Sequence, residues 1–216
     1  MGRRGYRGRE FWRALQLEDA AAQQSVLAQL DITDASVIAP LMYALRTRHA
    51  IRDQVNAAVR RLGDRAVAPL VGALKLTYPY WVGLALLDFG AVAVPQLIVA
   101  LSSPNAQVRQ WAAYILGRVA DPRALEPLRR AASDTRSHVR FHVIGALARI
   151  APAREPAIAA AAEHDLDWGT RRQAITAVAK HESGRAVALL VGHHLGTETG
   201  EIAVLKGIQG ARGYPM

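Results

Sequence analysis

The chain has 216 residues, 51% of them hydrophobic, which is ample for a sizeable core, and it contains no cysteine. Disulfides, zinc–thiolate sites and thiol nucleophiles are thereby excluded. Its 27 basic residues outnumber 18 acidic ones, giving a formal charge of +9. This balance either favours anionic partners (nucleic acid, acidic proteins, an anionic membrane surface) or reflects an Arg-rich composition without an electrostatic role.

Residues 1–9 are rich in Arg and Gly with no apolar run behind them, and Tyr6 stands where N-myristoylation wants Ser or Thr. They read as a flexible basic arm, not a secretory signal. Residues 10–216 read as one all-α solenoid domain, with an N-terminal helical cap over about 9–30. Apolar residues recur there at three- and four-residue spacing, as at Val108, Ala112, Ile115, Leu116 and Val119, with Gly63, Pro79, Gly90, Pro104, Pro122, Pro152 and Gly184 between runs. Six helical hairpins are expected. Their first helices fall near 34–47, 65–75, 92–101, 123–132, 154–164 and 184–195; their second helices fall near 51–62, 79–89, 106–119, 137–150, 168–180 and 201–210. Ser102, Asn105, Asp134 and Thr197 suit turns or N-caps. The stretch Trp81–Leu101 is long enough for a membrane span, but Asp88, Gly90, Pro95 and Gln96 interrupt it, and the register makes it a helix, a turn and a second helix. No membrane insertion is expected.

The hairpins echo one another every 31 residues: Val108-Arg109, Val139-Arg140, Thr170-Arg171. Thirteen residues after each pair a second element keeps register, with Arg123, Arg154 and Arg185 in one slot. A fixed period of this size means stacked helical hairpins. The segment from Gln107 through Gly117-Arg118-Val119-Ala120-Asp121-Pro122 to Leu128 resembles a HEAT repeat of the short bacterial kind also found in phycobilin lyases, and Ile51-Arg52 through Gly63-Asp64 to Leu70 matches it less closely. The resemblance covers about 34–210 and implies a right-handed α–α superhelix, second helices lining its concave face. It implies a cytoplasmic bacterial protein, and it also raises a bilin-lyase-type subunit. Arg52, Arg109, Arg140 and Arg171 fall in the family's Arg slot and read as a structural ladder bonded to helix carbonyls and turn carboxylates, with Asp64 and Asp121 as candidates.

Within a second helix the positions of Val108, Ala112, Leu116 and Val119 pack inward, so those of Gln110, Trp111, Tyr114 and Arg118 face out. The middle hairpins then present Tyr80, Trp81, Trp111, Tyr114, Phe141 and His142 side by side. Arg61, Arg118, Arg149 and Lys180 form a cation row interrupted by Asp88. Rings interleaved with guanidinium groups suit base stacking with phosphate contact, or a hot-spot patch for a protein. Asp88 is the one charge between Lys75 and Arg109, so it should pair with a cation, Arg118 being the candidate, or titrate high. An acid on an aromatic floor resembles, in kind only, the cleft of HEAT-like alkyl-purine DNA glycosylases, which makes Asp88 a weak catalytic candidate. His138 and His142 are four residues apart but have no third ligand in register, so no metal and no cofactor is expected. The nearly wholly apolar helix at 92–101 suggests self-association. Together these features favour a non-catalytic protein-interaction scaffold. Its site residues are Tyr80, Trp81, Asp88, Trp111, Tyr114, Arg118, Phe141, His142 and Arg149. A nucleic-acid-binding protein is the second reading.

Overall fold

The computed structural model describes residues 12–14, 16, 20–29, 37–38, 41, 43–44, 52–76, 79–151 and 155–180. The basic arm at 1–9, the helices expected at 184–195 and 201–210, and Thr197 lie outside them, as does most of the helix expected at 34–47. The chain falls into two compact units, Met1–Ala124 and Leu125–Met216. Helices and turns make up both, with no strand among the described residues.

In the first unit α1 is Ala20–Ala28 and α2 is Arg52–Arg61. Gly63 stops α2 with φ 59°, and a 3-10 turn over Gly63–Ala66 leads into α3, Val67–Ala73. The pattern repeats after α4, Pro79–Leu87: Gly90 has φ 50°, a 3-10 turn runs Gly90–Val92, and α5 follows over Val94–Ala100. Asn105 caps α6, Ala106–Val119, its side chain accepting from the N–H groups of Gln107 and Val108. Ala120 then takes the same left-handed turn at φ 56°, before a 3-10 turn over Pro122–Ala124. An L-residue with a Cβ is strained there by roughly 1 kcal/mol relative to glycine. These 3-10 turns shorten the first helices relative to the sequence expectation, because a left-handed stop leaves the next few residues turning tightly before a regular helix begins.

The core is a column of repeated positions. Val55, Val82 and Ala112 are buried in one slot of α2, α4 and α6, and Val59, Leu86 and Leu116 in the next, against Leu70 and Leu97 from the first helices. Each buried Leu contributes about 2 kcal/mol over its exposed state. Cross-links tie successive hairpins: Gln107 donates to the carbonyls of Leu74 and Leu76 at 2.7 and 3.2 Å, and Arg123 to that of Ala91 at 3.1 Å. Arg123 also grips both carboxylate oxygens of Asp121, and these bonds draw the Asp121 pKa down to about 2.

The second unit repeats the plan with α7 (Leu125–Ala131), α8 (Ser137–Ile150), α9 (Pro156–His164) and α10 (Trp168–Ala179). Val143 and Ala174 fill the Ala112 slot, with Leu147, Leu128 and Ile158 around them. Thr170 takes the slot of Val108 and Val139; its buried hydroxyl donates to Ser137 and Asp167 oxygens at 3.3 and 3.0 Å, which satisfies it. Glu155, only 4% exposed, receives Arg129 on both carboxylate oxygens.

The 31-residue echo has a physical basis in the turn before each second helix. The side-chain oxygens of Ser103, Asp134 and Asp165 accept the N–H two residues on, at 3.2, 2.9 and 2.9 Å. Their main-chain oxygens accept Nη1 of Arg109, Arg140 and Arg171, six residues on. At Arg109, Arg140 and Arg171 the Arg ladder is therefore structural, as expected, but the carboxylate partner of Arg140 differs. Arg140 forks onto Asp165 with two 2.7 Å bonds, whereas Asp121 serves Arg123. Burial alone would raise the Asp165 pKa; the bonds from Arg140 and the Asp167 N–H outweigh it and hold the carboxyl below the usual Asp range.

Candidate functional site

In the first unit the outward stripe of α4 is Tyr80, Leu84 and Asp88, exposed at four-residue spacing. On α6 the matching positions Gln110, Trp111 and Tyr114 are half-buried and Arg118 is exposed. Four of the expected rings join in one edge-to-face chain: Trp81 to Tyr80 at 5.4 Å, Tyr80 to Trp111 at 6.4 Å, and Trp111 to Tyr114 at 5.5 Å between centroids. Each such pair contributes about 1 kcal/mol beyond its area burial. The chain closes because α4 has Gly83 where α6 leans on it. A Cβ there would lie 3.0 Å from Cε3 and Cζ3 of Trp111. The rings were expected to face out together. Only Tyr80, at 52% exposure, does so fully, and the tryptophans and Tyr114 are partly tucked against their neighbours.

Asp88 closes the α4 stripe. Its carboxylate lies 3.6 Å from Nη1 of Arg60, with both side chains substantially exposed. The cation facing it is thus Arg60, not Arg118 as expected, and the cost of burying an ionised acid does not arise. The sequence placed Arg61 in the outward cation slot, but Arg61 also bonds the carbonyl of Leu27 at 3.1 Å on α1, and its neighbour Arg60 turns to Asp88. No spacing signal in the sequence distinguishes these two adjacent arginines.

The second unit holds the remaining candidates. Phe141 and His142 meet edge to face at 5.3 Å on α8, both half-buried. Burial pushes the His142 pKa down, and the nearby His138 and Arg149 add to the shift. Arg149 is exposed and reaches back to the Gly145 carbonyl at 3.5 Å. Gln173 of α10 lies over Gly145, its Nε2 2.9 Å from where a Cβ would be. The exposed stripe of α10 is Arg172, Thr176 and Lys180, and the Arg171 guanidinium sits 5.8 Å from the Trp168 ring centre. Arg172, Gln173 and the Asp167 cap are the features here that sequence reasoning left outside the site. The slot of Arg118 is exposed in the five described second helices or just past their ends, at Arg61, Asp88, Arg118, Arg149 and Lys180.

Among the described residues no group of three His, Asp or Glu side chains is placed to hold a metal ion. No described helix is long and apolar enough to cross a membrane. Val92 just before α5 and Val99 on it stay exposed, at 55% and 69%, while Val94, Leu97 and Ala100 are buried.

Residues 94–179 match the family model of HEAT repeats. The HEAT-repeat reading of the sequence holds over this segment. No curated protein matches the chain in sequence. Among solved structures, the complex of CpcE and CpcF of phycocyanin lyase from Nostoc sp. PCC7120 is 21% identical with a TM-score of 0.49, covering 99% of this chain and 80% of that one. A designed armadillo repeat protein is 18% identical with a TM-score of 0.46, covering 93% and 96%. An engineered protein is 20% identical with a TM-score of 0.43, covering 85% and 100%. These likenesses bear on neither partner nor activity. The HEAT repeats themselves are a helical scaffold whose periodic slots are occupied by core, turn and cap residues.

Proposed function

We propose that this protein is a non-catalytic interaction scaffold that binds a protein partner through the aromatic surface of α4 and α6: Tyr80, Trp81, Trp111 and Tyr114, with Leu84 beside them. The observation that carries this reading is the linked ring chain with one exposed end. A fixed set of large rings, half-buried against each other and flanked by an exposed Leu, loses little entropy on binding and offers apolar area in one place.

Two features weigh against the nucleic-acid reading for this surface. Base stacking needs open ring faces, and three of the four rings are half-buried and engaged in edge-to-face contact with a neighbouring ring. A base-releasing role for Asp88 needs a carboxylate held in a dry cleft, and Asp88 is exposed beside Arg60. The exposed cation slot is the observation on the other side, and Arg118 belongs to this surface at its rim.

Affinity capture at low and near-physiological salt, followed by the substitutions Tyr80→Ala and Leu84→Ser, tests the proposal. Both residues are exposed, so the fold should survive. Specific protein capture that persists at the higher salt and is lost in both variants is expected. Capture unaffected by the substitutions, or tight binding of single-stranded DNA that Tyr80→Ala abolishes, would contradict it.

A further inference from the structure

The second unit carries a surface of different chemistry. Its described second helices, α8 with 14 residues and α10 with 12, contain no Asp or Glu. Between residues 125 and 180 the chain has six acids, and all lie on first helices or turns: Glu126, Asp134, Glu155, Glu163, Asp165 and Asp167. Most are engaged there. Arg129 holds Glu155, Arg140 holds Asp165, and Asp134 and Asp167 accept backbone N–H groups. The acids are thus confined to first helices and turns, while α8 and α10 carry cations alone; Arg129 and Arg130 lie on α7.

On α8 and α10, Arg140 and Arg171 are turned to the turn carbonyls, while Arg149, Arg172, Lys180 and His138 are exposed. Arg172, Thr176 and Lys180 form one stripe at four-residue spacing, and His138, His142 and Arg149 another on α8. Gln173, lying over Gly145, links the two helices at their middle and adds an amide. His138 and Arg149 are separated by roughly 16 Å of helix axis, the reach of about five extended residues. Phe141, half-buried beside His142, supplies an apolar contact.

We propose that the α8–α10 face docks an acidic segment of a protein partner, its carboxylates on Arg149, Arg172 and Lys180 and an apolar side chain against Phe141. Guanidinium groups recognise carboxylates in a bidentate fork, and a few spaced cations match an intermittently acidic peptide. A nucleic acid presents roughly one charge per 1.7 Å of duplex and calls for a denser cation field. Here nine basic residues stand with six acidic ones across 125–180, so the cations are too sparse and too mixed with acids for a continuous polyanion. This inference concerns a surface separate from the aromatic one and does not rest on it.

Fluorescence anisotropy of the full chain with a labelled Glu-rich peptide carrying interspersed Leu tests it. An oligo-dT of equal charge and phosphatidylserine vesicles serve as competitors. The peptide should bind and weaken with salt. The double substitution Arg149→Glu and Arg172→Glu should cost about tenfold or more, whereas Arg149→Lys with Arg172→Lys retains most of the binding and Val99→Ser, at an exposed position outside both surfaces, leaves it unchanged. Circular dichroism of each variant confirms the helices. No peptide binding by the wild-type chain at low salt, an unaffected charge-reversal variant, or preference for the oligo-dT or the vesicles over the peptide would overturn the proposal. Loss on Tyr80→Ala with the charge-reversal variant unaffected would instead place the peptide on the aromatic surface.

Discussion

The second helices of the two units share one frame and differ in what they display. In the first unit α4 carries no charge at all and joins α6 in a chain of four rings. In the second unit α8 and α10 carry only cations, with a single Phe–His pair. The shared parts are the buried columns and the turn in which Ser103, Asp134 or Asp165 accepts an Arg six residues on. In a repeat protein, residues that hold register bear the fold, and the outward slots that change from hairpin to hairpin are where a surface acquires its chemistry.

The largest expected effect comes from breaking the shared frame. Arg140→Ala removes both bonds to a mostly buried Asp165 and one to the Asp134 carbonyl, and should cost about 3 kcal/mol in chemical unfolding. A cost near zero would mean that the Arg slot is not structural. Because the folded Asp165 titrates low, its contribution in the wild type is present above the ordinary Asp pKa and is lost as pH falls through the folded value. Arg140→Ala should therefore flatten the acid limb of the stability curve.

Next comes the aromatic side of the comparison. Gly83→Val places atoms into the Trp111 ring and should cost about 2 kcal/mol by overpacking. It should also shift the tryptophan emission maximum, while an equally conservative change at exposed Thr176 leaves that spectrum alone. Ala120→Gly works in the opposite direction. Ala120 occupies the left-handed position that Gly63 and Gly90 fill after α2 and α4, so the substitution should stabilise the protein by about 1 kcal/mol. A destabilisation would show that the Ala120 methyl makes contacts worth more than its strain.

The smallest effect belongs to the cationic side. His142 has a lowered pKa, from burial first and from His138 and Arg149 second. A folded pKa below the unfolded value means that stability is lost as pH falls from about 6.5 downward. His142→Gln should reduce that slope by a few tenths of a kcal/mol per pH unit in urea titrations, and an unchanged slope would exclude His142 as its source.

The hairpins were legible because core spacing and the Val-Arg turn element are local and repeat. Nine described α-helices, α2 through α10, fall within a few residues of their expected places. The ring surface was legible in membership but not in exposure, since whether Trp111 faces water depends on Gly83, on a different helix 28 residues earlier. Side-chain pairing was least legible. Arg60 and Arg61 are adjacent and chemically identical, and only the packing of α1 and α4 sends one to Leu27 and the other to Asp88. The Asp165 partner of Arg140 was missed because it lies 25 residues ahead, in the next repeat, with no local pattern linking the two.

The claim that matters most is that α4 and α6 together form the surface a protein partner recognises. Hydrogen–deuterium exchange on the captured complex tests it most directly. Slowed exchange is expected in peptides covering 79–88 and 106–119, with 67–73 and 94–100 unchanged. Protection confined to the first helices α3 and α5, with α4 and α6 exchanging as in the free chain, would contradict it.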